Sequence, residues 1–307
     1  MTRVLMTGGA GFIGVPLVAE LRRRGHEVAV LDDFSVGARE RLAPLAGVHV
    51  LEADLRDRDA VARAVEQAEP TAIAHLAARH FIPWCEANPE QTDAINVHGT
   101  RHLLEATRAT GVRRILLAST ADLYEPGAHP HSESDRLAPP SVYGRSKLAA
   151  ERLLAEHAER NPETVTQALR LFNVYGPGET NPHVLPAILE QLHAGDALAL
   201  GNTQARRDWL FVDDAVRAIA GLLELPDGRG PVNVAGGRAA SVDDLLEALR
   251  AITGRDLRVQ RDPARMRPSD RPVLAADLSR LRELLPGLSA TPLEQGLRAT
   301  LAAEGLA

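Results

Sequence analysis

Residues 7–14 read Thr7-Gly8-Gly9-Ala10-Gly11-Phe12-Ile13-Gly14, which sets glycines 9, 11 and 14 in a Gly-x-Gly-x-x-Gly spacing. The run follows an apolar β-type segment at 3–7 and opens an amphipathic segment at 13–24. A chain that turns from strand to helix within so few residues, and lets another group approach its backbone, has little room for side chains. The helix start offers free N–H groups and the positive end of its dipole, a setting suited to a pyrophosphate. Gly8, Gly11, Phe12, Ile13 and Gly14 are therefore expected to cradle a dinucleotide. The next β-type run, 27–31, leads into Asp32, eighteen residues past Gly14, where a carboxylate suits the adenosine ribose. Asp32 and Asp33 together would repel a 2′-phosphate, so NAD is expected rather than NADP.

The fold class expected is α/β, a Rossmann-type doubly wound parallel sheet with a smaller, discontinuous C-terminal substrate lobe. β-type runs at 3–7, 27–31, 49–51, 72–75 and 114–118 alternate with helical spacing at 13–24, 59–66 and 91–110. A helix over 142–158 and a strand at 166–171 continue the rhythm. After Asn173 prolines and glycines break it; a helix at 184–194 follows, and 211–225 with 232–234 read as a return to the sheet. The tail carries helices near 241–253 and 277–284. The cofactor domain is expected over 1–172 plus 209–234, and the substrate lobe over 173–208 plus 235–307. Asp54-Leu55 and Leu76-Ala77-Ala78 end strands on the cofactor edge, although Asp54 equally suits a helix N-cap. A net charge of −6 lacks the basic excess of nucleic-acid binding, and no apolar run is long enough for a membrane span. The N-terminus has no signal-peptide pattern, and the single Cys85 fits a reducing cytoplasm. No metal site is expected, since the 11 histidines show no spacing such as His-x-x-x-His around a Glu.

Of the 35 basic side chains 34 are Arg and one is Lys, at position 147, four residues after Tyr143. That spacing puts phenol and ammonium on one helix face. A compact cation beside a phenol, together with an oxidised nicotinamide, favours the phenolate and moves it toward useful basicity.

With these residues in view, the chain resembles the extended short-chain dehydrogenase/reductase family, in particular its NAD-dependent nucleotide-sugar epimerases and dehydratases. The likeness runs nearly end to end. It includes the glycine loop, Leu76-Ala77-Ala78, Asn96-Val97-His98-Gly99-Thr100, Ser119-Thr120, the Tyr143/Lys147 pair, Arg170-Leu171-Phe172-Asn173-Val174-Tyr175-Gly176-Pro177 and Arg207-Asp208-Trp209-Leu210-Phe211-Val212-Asp213-Asp214. The resemblance implies that Tyr143 is the base, Lys147 its partner and Thr120 the hydroxyl that orients the sugar 4-OH. It implies that Asn173, Arg207 and Arg267 hold the nucleoside diphosphate, with His183 where an Asn often contacts the nucleotide. Arg79 and His80 fall where the family lines its sugar pocket, and either would suit a sugar carboxylate. Oxidation at C4 would give a 4-keto sugar and NADH. Return of hydride to the other face makes a 4-epimer, a base at C5 permits loss of water from C6, and a 6-carboxylate can leave as carbon dioxide.

Asp122 sits at that branch. In an extended backbone Thr120 and Asp122 would point to the same side. The resemblance matches Asp122 to a Glu of the dehydratases and decarboxylases, but Ala121 stands where the dehydratases carry an acidic proton donor. Asp122 is thus a C5 base, a sugar contact or a structural residue. An NAD-dependent 4-epimerase acting on a nucleotide-diphosphate sugar, most readily a UDP-sugar, is the first reading. A dehydratase or decarboxylase using Asp122 is the second; a non-catalytic NAD sensor would not need the Tyr143/Lys147 pair. The family usually dimerises through the Tyr143/Lys147 helix and the helix after Asn96. A homodimer is expected, with Leu103, Leu104, Leu148 and Leu153 as candidate apolar surface.

Overall fold

The computed structural model describes residues 2–266 and 271–306. The first half builds β1 (Arg3–Thr7), α1 (Gly14–Arg23), β2 (Glu27–Asp32), β3 (His49–Glu52), α2 (Arg58–Ala68), β4 (Ala72–His75), α3 (Ile82–Ala87), α4 (Pro89–Asp93), α5 (Gly99–Ala106), β5 (Arg114–Thr120), α6 (Val142–Arg160) and β6 (Val165–Leu171). The second half adds β7 (Asn173–Tyr175), α7 (Val184–Ala194), β8 (Ala197–Leu200), β9 (Arg206–Phe211), α8 (Val212–Glu224), β10 (Val232–Val234), β11 (Ala239–Ser241), α9 (Val242–Thr253), β12 (Arg258–Arg261), β13 (Val273–Leu274), α10 (Ser279–Leu284) and α11 (Leu293–Ala303).

Seven strands form one parallel sheet in the order β10-β6-β5-β4-β1-β2-β3. The order reverses between β1 and β4, and a crevice opens there beyond the carboxyl ends of the strands. Period-two alternation in β1 sends Val4 and Met6 into one apolar layer with Leu17, Val18 and Leu21 of α1. Leu5 goes to the opposite layer, with Val61 and Val65 of α2 and Leu103, Leu104, Leu153 and Leu154 of α5 and α6. Both faces are therefore covered, which is why these strands read as nearly continuous hydrophobic runs. The Rossmann-type sheet is the architecture expected.

Three local expectations change. The helix expected over 91–110 is broken: α4 runs into a π-helical segment, Ala94–His98, before α5. Asp54 is not a helix cap, because Asp57 caps α2 and accepts the N–H groups of Asp59 and Ala60. Leu103, Leu104 and Leu153 cannot supply a dimer surface, since all three are buried inside the chain's own core.

A second layer of short strands lies beyond the main sheet. β9 pairs with β11, β13 and β7, while β8 pairs with β12. The boundary expected at 208/209 falls inside β9, after which α8 and β10 rejoin the main sheet.

Candidate active site

A cavity of about 770 Å³ lies along the crevice, between the main sheet and the second layer. It is lined by every described residue named above for cofactor, substrate or chemistry. Arg267, expected to hold the diphosphate, lies outside the described residues.

At one end the β1–α1 turn admits only glycine at positions 8 and 14. Gly8 has φ +72°, and a Cβ there would sit 2.7 Å from the Ala77 backbone nitrogen. A Cβ on Gly14 would sit 2.3 Å from the Gly8 carbonyl. No side chain caps α1 and its first turn holds no acidic residue, so its positive end is left to the cavity. Asp32, at the carboxyl end of β2, accepts the Ala10 and Phe34 N–H groups at 3.0 and 2.9 Å. Burial pushes its carboxyl above the usual range while these two bonds oppose it. Asp33 is turned to Ser35, and Asp54 is forked by Arg56, which holds it below the usual carboxylate range. A close-approach glycine turn, an open helix start and a carboxylate at the β2 end fit a dinucleotide.

Sequence reading missed the scaffold under this cradle. The Thr7 hydroxyl meets His75 Nδ1 at 2.6 Å, and His75 Nε2 meets the Thr100 hydroxyl at 2.9 Å. Thr100 donates to the Asn96 carbonyl, so His75 is the Nε2–H tautomer that accepts from Thr7. Burial, with the Lys147 charge nearby, drives His75 down to about 3, which keeps it neutral. The Asn96 side chain then clamps both backbone groups of Arg79 at 2.8 Å and donates to Ser146 on α6 at 2.9 Å. Thr7, Asn96 and Thr100 were visible in the sequence only as members of motifs; their scaffold role comes from binding one another and His75 inside the core.

The reactive end gathers on β5 and α6. Tyr143 and Lys147 lie one turn apart on α6 and line the cavity together with Thr120, the last residue of β5. Burial pushes the phenol up, Thr120 pulls it down, and Asp122 and Cys85 raise it further. Lys147 is 1% exposed, and burial brings it down to about 8, against Glu151. In the protein alone Tyr143 is a neutral phenol beside a largely protonated amine.

Asp122 does not follow the extended parity expected of it. Residues Ala121–Leu123 form a 3-10 turn in which the Asp122 N–H donates to the Thr120 hydroxyl. The turned carboxylate accepts the Ser141 hydroxyl and an Arg271 guanidinium nitrogen, the latter at 3.3 Å. Burial raises its pKa while Ser141, Arg271 and Arg207 lower it. Arg271 was not foreseen; its partner is distant in sequence and nothing local marks it.

At the far end, the Arg79 guanidinium stacks over Trp84 at 4.9 Å. His80 and His183 meet edge to face at 5.8 Å, and His183 pairs with Glu179 at 2.5 Å. Burial, and then the charges of His183 and Lys147, bring His80 down to about 4. Asn173 opens β7, and Arg207 on β9 donates to the Arg271 carbonyl at 2.8 Å.

Residues 4–235 match the model of the NAD dependent epimerase/dehydratase family. The chain belongs to that family. NAD is its cofactor, and it is an enzyme of the epimerase/dehydratase type. Among curated relatives, this epimerase/dehydratase is 33% identical over 309 residues to a UDP-glucose 4-epimerase of Mycolicibacterium smegmatis, covering 97% of each chain. It is 29% identical to UDP-glucuronic acid decarboxylase 1 of Xenopus tropicalis, covering 97% of this chain and 71% of that protein. Among solved structures, the UDP-glucose 4-epimerase of Thermus thermophilus in complex with NAD superposes with a TM-score of 0.86 at 31% identity, covering 98% of each chain. No helix among the described residues is long and apolar enough to cross a membrane.

Proposed function

We propose that this enzyme is a 4-epimerase of a UDP-sugar. The observation that carries the reading is that Tyr143 and Lys147, one turn apart on α6, line one cavity with Thr120 at the end of β5. Thr120 holds the substrate 4-hydroxyl against the Tyr143 oxygen, and Tyr143 takes its proton. Lys147 keeps a positive charge beside that oxygen and favours the phenolate as the proton arrives from the sugar. Bound NAD supplies the reversible two-electron oxidation of the C4 carbinol. Gly8, Gly11, Phe12, Ile13 and Gly14 would hold its pyrophosphate, Asp32 its adenosine ribose, and Leu76, Ala77 and Ala78 would line its path toward Lys147. Asp33, Asp54 and Leu55 border the adenosine end. Asn173, Arg207, Arg267 and His183 take the nucleoside diphosphate, while Arg79 and His80 face the sugar.

Elimination of water from C6 would need a free base at C5, whereas a 6-carboxylate would leave the 4-keto sugar as carbon dioxide without one. The Asp122 carboxylate is engaged by Ser141 and Arg271, and Ala121 offers no acid, which supports epimerisation over elimination. The second reading keeps one observation in its favour, because Asp122 lines the same cavity as Tyr143 and burial raises its pKa. The relatives named 4-epimerases support a UDP-sugar. A cytoplasmic homodimer completes the proposal. Its contacts would rest on the solvent faces of α5 and α6, where Arg101, Arg145, Arg152 and Glu156 are exposed; monomer alone in sedimentation at micromolar protein refutes it.

The deciding experiment incubates the protein and NAD⁺ with UDP-, dTDP-, GDP- and CDP-sugars and reads products by mass spectrometry and proton NMR. A UDP-sugar of unchanged mass and inverted C4 is expected. Loss of water or carbon dioxide would overturn the epimerase reading.

A further inference from the structure

The loop between the 3-10 turn at 121–123 and α6 carries a side-chain cluster that the reaction does not use. His129 Nε2 lies 2.9 Å from Asp135 Oδ2, and His131 Nδ1 lies 3.0 Å from the same oxygen. One donor atom from each of the three residues falls within 4.8 Å of the other two. We propose that His129, His131 and Asp135 form a binding site for a divalent transition cation of the zinc type, separate from the NAD and sugar sites.

Two imidazoles and one carboxylate are the donor set such ions prefer, whereas calcium and magnesium favour oxygen alone. Around a tetrahedral zinc at about 2.0–2.2 Å, neighbouring donors stand about 3.3 Å apart. The two His–Asp separations need only a few tenths of an ångström to open to that value. Two of the ligands are already held. His131 is 2% exposed and stacks on Tyr124 at 4.7 Å with the rings parallel. Its backbone is fixed by Ala275 and Asp277 at 2.8 Å each. The second oxygen of Asp135 accepts the Ser132 hydroxyl at 2.7 Å, which leaves Oδ2 aimed at the imidazoles. His129, 66% exposed, is the ligand free to close. Gly127 gives it room, since a Cβ there would lie 3.1 Å from the His129 ring.

The buried ring also carries a cost that packing does not explain. His131 Nε2 is enclosed and has no hydrogen-bond partner among the described residues. An apolar side chain would fill the same space without stranding a polar atom. What an imidazole adds there is Nδ1, directed at Asp135 and His129. The spacing His-x-His-x-x-x-Asp lies on a loop and so escapes a search for helical His-x-x-x-His.

The test is equilibrium dialysis of the full chain against Zn²⁺ with elemental analysis, beside His129→Ala and Asp135→Asn; His129 is exposed, Asp135 is half-buried, and neither lines the cavity. The parent chain should retain one equivalent of zinc that both variants lose. Zn²⁺ should raise the melting temperature of the parent and leave that of His129→Ala unmoved. Equal zinc retention by all three proteins would place the metal on other histidines and overturn the proposal. So would the absence of any retained zinc in the parent, whether or not the chain epimerises a UDP-sugar.

Discussion

Replacing Lys147 with methionine separates what the lone lysine does for chemistry from what it costs the fold. The ammonium is buried, and burial lowers its pKa from 10.5 to about 8, with Glu151 opposing. A base with a lower pKa folded than unfolded binds fewer protons in the native state. Below about pH 8 both states hold the proton, and the fold carries the full cost of keeping it charged. At about 1.4 kcal/mol per pH unit, the gap from 10.5 to about 8 corresponds to about 3 kcal/mol. Between about pH 8 and 10.5 only the unfolded chain stays protonated, so stability rises with pH and the cost fades. Methionine has a similar reach and no charge. Allowing about 1 kcal/mol for imperfect repacking, cofactor-free Lys147→Met should be about 2 kcal/mol more stable than the parent at pH 7. His75 and His80, at about 3 and about 4, stay neutral over this range and do not contribute. Urea unfolding without NAD at pH 7, 9 and 10.5, extrapolated to water, measures the difference. The advantage should shrink by about 3 kcal/mol across the series, while turnover is lost at every pH. A variant less stable than the parent at pH 7, or a difference indifferent to pH, would refute the reasoning.

Three further substitutions probe the site. Tyr143→Phe should lower turnover by about 10²–10⁴-fold and leave NAD affinity unchanged in a fluorescence titration; retained turnover would remove Tyr143 from the base role. Gly14→Ala sets a Cβ 2.3 Å from the Gly8 carbonyl and 2.7 Å from Gly9 backbone atoms, which cannot swing aside as a side chain could. It should cost about 1–3 kcal/mol in thermal melts and weaken NAD binding, and a variant that melts and binds like the parent would contradict so tight a cradle. Asp122→Asn keeps a hydrogen-bonding partner for Ser141 and Arg271, so C4 inversion should persist within about tenfold, a barrier change of about 1.4 kcal/mol. Water lost from a UDP-hexose by the parent and not by this variant would make Asp122 the C5 base.

How far the fold could be read in advance follows from where its stabilising contacts lie along the chain. The Rossmann-type half was legible because each strand is a buried run next to a helix with its own apolar stripe. The second layer was not. β7 and β11 are three residues long and β13 is two, and each finds its place by pairing with β9, far away in sequence. So short a run has no period to detect. α11 escaped for another reason: its buried face consists of Gly296, Leu297, Thr300 and Leu301, a pattern a surface helix could also show. The break before α5 was hidden as well, because apolar spacing over 91–110 continues through the π-helical segment that turns Asn96 toward Arg79 and Ser146.

Asp122 shows why residue type at a matched position does not by itself decide the branch of the chemistry. Parity along an extended strand would aim it with Thr120 at the sugar, and a carboxylate so aimed would serve as a base. β5 ends at Thr120, however, and the next residues close a 3-10 turn on the Thr120 hydroxyl. The carboxylate is thereby carried toward Ser141, which caps α6 by accepting the Gly144 N–H at 2.9 Å, and toward Arg271, just ahead of β13 in the second layer. In that position it joins β5, the start of the Tyr143/Lys147 helix and the chain that covers the sugar end. Pulling a proton from C5 would require the carboxylate to leave both partners and strand a nearly buried guanidinium. Among the described residues the Arg271 Nη1 has no partner, so losing the Asp122 carboxylate would leave that cation with still less compensation. The same group cannot hold the two layers together and act as a mobile base without that loss, and the geometry favours the first role.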